Sequence, residues 1–133
     1  MGLHSAFALE PQVHRFLYSF ADDAGAQGTV DLGDLPDNFI VTGFRTNVVT
    51  AVTSDGSATI AFGDETTADK YLTATAKGGF DTEDEMQVEA AILNLKCTSE
   101  ATRGVQMTIG GADLKTGAVE VYITGFVAKH TAT

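Results

Sequence analysis

Apolar and polar residues alternate with a period of two along most of this 133-residue chain. Successive side chains of an extended strand point to opposite faces, so this alternation predicts strands with one buried face. The predicted strands cover residues 13–20, 28–33, 39–53, 57–63, 86–98, 105–109 and 118–128. Segment 86–98 also has the length of a helix, but the alternation at its beginning favours a strand.

The segment after the longest predicted strand contains two further signals. Strand 39–53 has neither face apolar throughout, which indicates a bulge near Gly43 or Asn47 that switches the register. The dipeptide Asp55-Gly56 then predicts a hairpin turn with positive φ at both central positions. Residues 64–76 are rich in threonine, and we expect an ordered loop that folds Tyr71 and Leu72 over the end of the core.

Short strands separated by Gly-, Asp- and Thr-rich turns, without the spacing of βαβ units, predict an all-β fold. The expected architecture is an antiparallel β-sandwich or jelly roll of about 7–8 strands with an extended N-terminal arm. The chain then divides into an arm at 1–12, a single β-sandwich domain at 13–129 and a short tail at 130–133.

Two segments contain candidate contact residues. In the arm, Phe7 and Leu9 are candidate anchors on a neighbouring subunit, with a frayed terminus as the alternative. In strand 13–20, aromatic and imidazole side chains occupy one whole face. This face predicts packing in the core or at a sheet edge, with an exposed contact patch as the alternative. The candidate capsid or subunit contacts are Phe7, Leu9, His14, Phe16 and Tyr18.

The charge of the chain narrows the possible partners. With 18 acidic and 8 basic residues, the net charge is -10. Such a surface repels phosphate groups, so nucleic acids and anionic membranes are disfavoured as partners. No apolar run approaches the roughly 20 residues of a membrane helix, and the first residues lack the features of a signal peptide. The single cysteine, Cys97, excludes an intrachain disulfide and fits assembly in a reducing compartment.

Catalytic signatures are missing from the sequence. It contains no phosphate-binding or dinucleotide-binding glycine motif and no G-x-S-x-G nucleophile elbow. No motif frames His4, His14 or His130 as a catalytic residue. We therefore predict a protein that is not an enzyme, with no catalytic residues, no cofactor and no metal site. Acidic clusters at 31–37, 64–69 and 81–85 leave calcium binding open as an alternative to solvated loops.

One family resemblance emerges between residues 47 and 76. Strand-and-turn segments reading VVTAVT, SDGSATIAFGDE and ADKYLTATA resemble a recurrent β-sandwich domain of tailed-bacteriophage head proteins. The segment TGAVEVYITGF is similar to the closing strand of the same domains. The resemblance covers roughly residues 38–127 and extends to head decoration (cement) proteins and the base domains of head fibres.

The resemblance implies a structural subunit on the exterior of a phage head, assembled in the bacterial host cytoplasm. Such a subunit binds the major capsid protein, stabilises the shell by bridging capsomers and forms a homo-oligomer, with a trimer favoured over a dimer. The arm and strand 13–20 are the expected capsid contacts. The alternatives are another phage subunit, such as a fibre base or a tail protein, and a carbohydrate-binding module. The absence of tryptophan argues against the carbohydrate-binding module.

Overall fold

The computed structural model describes residues 10–83, 95–97 and 99–128. The predicted anchors Phe7 and Leu9, most of the predicted strand 86–98 and the tail 130–133 lie outside the described residues. The division of the chain at residues 12 and 129 therefore stays a prediction.

Strands account for most of the described chain, which confirms the all-β class. They are β1 (Gln12–Ser19), β2 (Gly28–Asp34), β3 (Phe39–Ser54), β4 (Thr59–Gly63), β5 (Leu72–Ala76), β6 (Leu95–Cys97), β7 (Gly104–Gly110) and β8 (Leu114–Val127). Two short α-helices, α1 (Phe20–Asp23) and α2 (Glu100–Arg103), and one turn of 3-10 helix (Lys77–Gly79) connect some of them.

The strands form two antiparallel sheets that pack face to face. The first sheet has the order β1-β8-β3-β6, and the second has the order β2-β7-β4-β5. β1 pairs with β8, β2 with β7, β3 with β6 and β4 with β5, as in a long ribbon folded back on itself. Contacts of β8 with β3 and of β7 with β4 then close the two sheets. This is the jelly-roll arrangement of a β-sandwich.

The dipeptide Asp55-Gly56 does not form the predicted hairpin. It connects β3 of the first sheet to β4 of the second, and neither residue has positive φ. β4 and β5 follow each other in the chain and pair antiparallel in the second sheet. The hairpin of this region is therefore formed by β4 and β5, joined by the loop 64–71. Local turn preference therefore yields here to the pairing of distant strands.

The predicted bulge in the longest strand is confirmed near Gly43. The register of β3 against β8 shifts between Val41 and Gly43 and again between Val48 and Thr50. Val41 and Phe44 are three residues apart, yet both are buried. The extra residue between them returns the strand to the same face, and so keeps both side chains in the core.

Tyr71 and Leu72 are buried as predicted, although Leu72 begins strand β5 rather than lying in a loop. The Tyr71 ring stacks on Phe44 with centroids 5.6 Å apart. The preceding turn is held by the buried carboxylate of Asp64. It accepts hydrogen bonds from the backbone N–H groups of Thr66 and Thr67 at 2.8 and 2.7 Å and from Lys70 Nζ at 2.7 Å.

Candidate interaction surface

The aromatic face of β1 points into the sandwich. The His14 ring meets Phe39 edge to face with centroids 5.1 Å apart, and Phe16 is half-buried against the core. Tyr18 is fully buried, and its hydroxyl donates a hydrogen bond to the carbonyl oxygen of Ala24 at 2.7 Å. Burial, with the charge of Asp23 adding to it, raises the pKa of Tyr18 to about 12, so the hydroxyl stays a donor.

These positions decide between the two interpretations of the aromatic face. Packing in the core is what the structure shows for this face. Tyr18 has no exposed ring surface in the described chain, and its contact with a partner stays a prediction. His14 and Phe16 keep partial exposure, and their contact with a partner stays a prediction.

The opposite face of β1 is the exposed one, and it carries apolar side chains. Val13 is 63% exposed and Leu17 is 41% exposed. Val49, on β3 of the same sheet, is 46% exposed. Among the described residues, these three are all of the large hydrophobic side chains with high exposure.

The register of the first sheet places these residues on one outward surface. Arg15 lies opposite Tyr122 of β8, and Tyr122 lies opposite Arg45 of β3. In the next row Leu17 lies opposite Glu120, which lies opposite Asn47. We call this surface the apolar face; it comprises Val13, Arg15, Leu17, Arg45, Asn47, Val49, Glu120 and Tyr122.

Charges at the centre of the apolar face are mostly paired. Arg15 forms an ion pair with Glu120, and Asn47 Nδ2 donates to the same carboxylate at 3.1 Å. The hydrogen bond from Asn47 and then the one from Arg15 lower the pKa of Glu120 below its usual value. No ion pair of Arg45 occurs in the part of the chain that the structure describes. Within the described residues the face therefore combines apolar area with one cation, Arg45, that has no ion pair, on a molecule of net charge -10.

The outward surface of the second sheet has a different composition. Its register aligns Thr29 of β2 with Thr108 of β7, and Asp31 with Gln106. No large hydrophobic side chain with high exposure lies on it within the described residues. Since specific contacts in proteins bury apolar and arginine side chains preferentially, the apolar face is the candidate interaction surface.

A separate polar cavity of about 420 Å³ is lined by Asp31, Asp34, Glu65 and Arg103. Arg103 Nε donates to the carbonyl oxygen of Leu35 at 2.9 Å, and the Glu65 N–H donates to that of Ala101 at 3.1 Å. Across the described ranges, no group of three or more His, Cys, Asp and Glu residues is placed to hold a metal ion. None of the helices in those ranges is both long and apolar enough to span a bilayer.

Sequence patterns pointed to β1 but to its other face. None of the eight residues of the apolar face was among the candidate contact residues. A signal for two of them was present, since Val13 and Leu17 alternate with the aromatic residues. Both faces of the segment are partly apolar, so alternation alone does not say which of them is buried.

Comparison with known proteins shows a whole-chain match at the level of structure. No protein-family model matches the sequence, and a search of curated proteins finds no match. A chain of the cyanophage Pam1 capsid asymmetric unit aligns with a TM-score of 0.72 and 17% identity, over 96% of this chain and 92% of that chain.

Two further phage capsid structures contain similar chains. One is the acidic stable capsid of Helicobacter pylori bacteriophage KHP30, with a TM-score of 0.64, 17% identity and coverage of 96% of this chain and 92% of that chain. The other is the capsid of Ralstonia phage GP4, with a TM-score of 0.61, 14% identity and coverage of 98% and 92%. At this identity the likeness establishes the fold: the chain has the β-sandwich found in chains of three phage capsid structures.

Proposed function

We propose that this chain is a structural virion protein that decorates the exterior of a tailed-phage capsid and stabilises it as a cement protein, without enzymatic activity. The observation that carries the proposal is the fold likeness over at least 96% of the chain to chains of three phage capsid structures. Fold alone does not determine function, so the surface chemistry has to agree with it.

The apolar face supplies that agreement. Docked on the major capsid protein, it would bury Val13, Leu17 and Val49, whose exposure otherwise has a free-energy cost in water. Removing each of these partly exposed side chains from water contributes on the order of 1 kcal/mol. The polar surface of the second sheet, with Thr29 and Asp31, would then face the medium.

Many weak contacts suffice in a closed shell. A decorated head presents the same site in many copies, and subunits linked to each other bind with an affinity above that of one contact. In this proposal the arm, with Phe7 and Leu9, reaches a neighbouring subunit, and the half-buried His14 and Phe16 lie beside the contact. A homo-oligomer, which the family resemblance implies, belongs to the same proposal.

The test uses heads of the phage that encodes the chain, prepared without it. Purified protein is added to expanded heads, and the particles are imaged by cryo-electron microscopy. We expect ordered density on the outer surface of the shell, with the first sheet toward the capsid. Heads that stay bare, or density confined to fibres or the tail, would overturn the decoration role.

Single substitutions test which face binds. Val49→Lys places a charge on the apolar face, and we expect head binding to weaken at least tenfold in a co-sedimentation assay. Thr29→Lys adds the same charge to the exposed surface of the second sheet and is the matched control. Equal weakening by both variants would show that net charge, not the apolar face, determines binding.

A further inference from the structure

One edge of β1, which has no paired strand within the described ranges, is long and regular. Among the described residues, β1 pairs only with β8, over eight residues without a register shift. The edge strands of the second sheet are less regular: β2 has a register shift between Asp31 and Gly33, and β5 has five residues with a shift in its pairing. Unpaired strand edges readily accept another strand, and bulged or short ones do so less readily.

Hydrogen bonding shows which backbone groups of β1 face this edge. The Ser19 N–H donates to Asp23 Oδ2 at 3.0 Å rather than across to β8. Antiparallel pairing alternates, so residues of the same parity direct their N–H and C=O groups away from β8. These residues are Val13, Arg15 and Leu17. Pro11 and Ser19 have the same parity but cannot donate at this edge. Pro11 has no N–H, and the Ser19 N–H is already bound to Asp23.

We propose that a second copy of this chain pairs its β1 antiparallel with this β1, about a two-fold axis at Arg15. Val13 then lies opposite Leu17 of the partner subunit, and Arg15 lies opposite Arg15 of the partner subunit. Each opposed pair exchanges two backbone hydrogen bonds, and the two first sheets become one continuous sheet.

This register is favoured over its neighbours because it uses Val13, Arg15 and Leu17, whose outward backbone groups have no partner in the part of the chain that the structure describes. If the partner strand slides by two residues in one direction, Pro11 lies opposite Leu17. One hydrogen bond is then lost, because proline has no N–H to donate. The opposite shift brings in Ser19, whose N–H is bound to Asp23. Either shift also replaces an apolar pair of Val13 and Leu17 by a pair of one apolar and one polar side chain.

Side chains fit the same arrangement. Val13 and Leu17 of one subunit cover their counterparts in the other and leave water together. The two Arg15 side chains meet, but each is ion-paired with Glu120 of its own chain, which reduces their repulsion. A two-fold axis perpendicular to the sheet keeps both apolar faces on one side. The pairing involves only two copies of this chain and no capsid protein, so it does not depend on the proposed virion role.

The mass of the free protein in solution tests the pairing. We expect sedimentation equilibrium over a range of concentrations to approach twice the 13.9 kDa of one chain. Leu17→Lys, which adds a charge at the paired edge, is expected to weaken the dimer at least tenfold. Val49→Lys adds the same charge to the same face away from the edge and should leave the dimer intact. Circular dichroism establishes that both variants are folded.

Several results would overturn the proposal. They are a monomer at every concentration, a trimer, a dimer that survives Leu17→Lys in the folded protein, and a dimer that Val49→Lys also breaks. Val49→Lys separates this proposal from the preceding one, since it should weaken head binding and keep the dimer.

Cysteine cross-linking tests the register. Val13→Cys and Leu17→Cys chains are mixed and oxidised; opposed residues of a hydrogen-bonded pair have Cα atoms about 5.5 Å apart, which suits a disulfide. We expect the mixture to give a mixed cross-link and each variant alone to give none. The native Cys97 is buried and does not compete. Cross-links within either variant alone, or no cross-link in the mixture, would overturn this register.

Discussion

The carboxylate of Glu120, on the apolar face, connects three neighbouring strands of the first sheet. It sits on the central strand β8 and receives hydrogen bonds from Arg15 of β1 and Asn47 of β3. Its pKa is lowered in the folded protein because both neighbours favour the charged form. A carboxylate with a lowered pKa stabilises the fold at pH values above its unfolded pKa. That stabilisation is lost as the pH falls through the folded pKa.

Glu120→Gln therefore makes a prediction about pH. The wild type should be more stable than the variant at pH 7. The difference should begin to shrink as the pH falls below about 4, where the unfolded chain takes up the proton, and should vanish below the lowered pKa of the folded protein. Urea unfolding of both proteins between about pH 3 and pH 7, a range that includes the usual pKa of Glu, measures this difference in stability. A difference that stays constant over this range would contradict the role given to the charge.

At the scale of elements, the contact of β3 with β8 requires a glycine. Gly117 has a φ of +136°, a region that other residues rarely adopt. A Cβ atom at this position would meet Val52 Cγ2 at 2.7 Å and Val52 Cα at 3.0 Å. The irregular register near Thr116 is thus tied to the absence of a side chain one residue later.

Gly117→Ala should lower the free energy of unfolding by about 2 kcal/mol or more, because strained φ and close contact with the backbone add together. Gly78→Ala is the control, since its Cβ atom would meet nothing within 4 Å. Denaturant unfolding of the two variants measures the difference. Equal stability of the variants would show that β8 adjusts its backbone at this site.

The sequence predicts the strands better than it predicts their partners. Alternation located β1, β3, β7 and β8, because one face of each is in the core. The threonine-rich strand β5 was missed, since Leu72 is its one buried residue and a single position shows no period. The Asp55-Gly56 connection was misassigned for another reason: a dipeptide reports local φ preference, whereas the sheet that the next strand joins depends on residues far along the chain.

The candidate surface was predictable only in part for the same reason. The pattern of β1 shows two faces but not which one meets the second sheet. Arg45 and Tyr122 join Leu17 on one surface through registers with β8 that no short pattern contains.

At the scale of the whole molecule, the fold pairs the first described strand, β1, with the last, β8. β1 pairs with β8 across about a hundred residues, so many contacts close long loops. We predict that the unfolded chain refolds in milliseconds to seconds rather than microseconds, as expected for β-sandwiches. Stopped-flow dilution from urea measures the rate. Refolding within the dead time, with full recovery of signal, would contradict this expectation.

The pairing of Gln12 with Gly125 has a mechanical consequence. The start of β1 and the end of β8 leave the sandwich at the same pole, on neighbouring antiparallel strands. Tension applied between these two points would peel the strands apart one hydrogen bond at a time, instead of loading all the bonds at once in shear. The sandwich would thus yield to a small force applied at the start of β1 and the end of β8, while a load spread across its flat surface would leave those bonds unstretched.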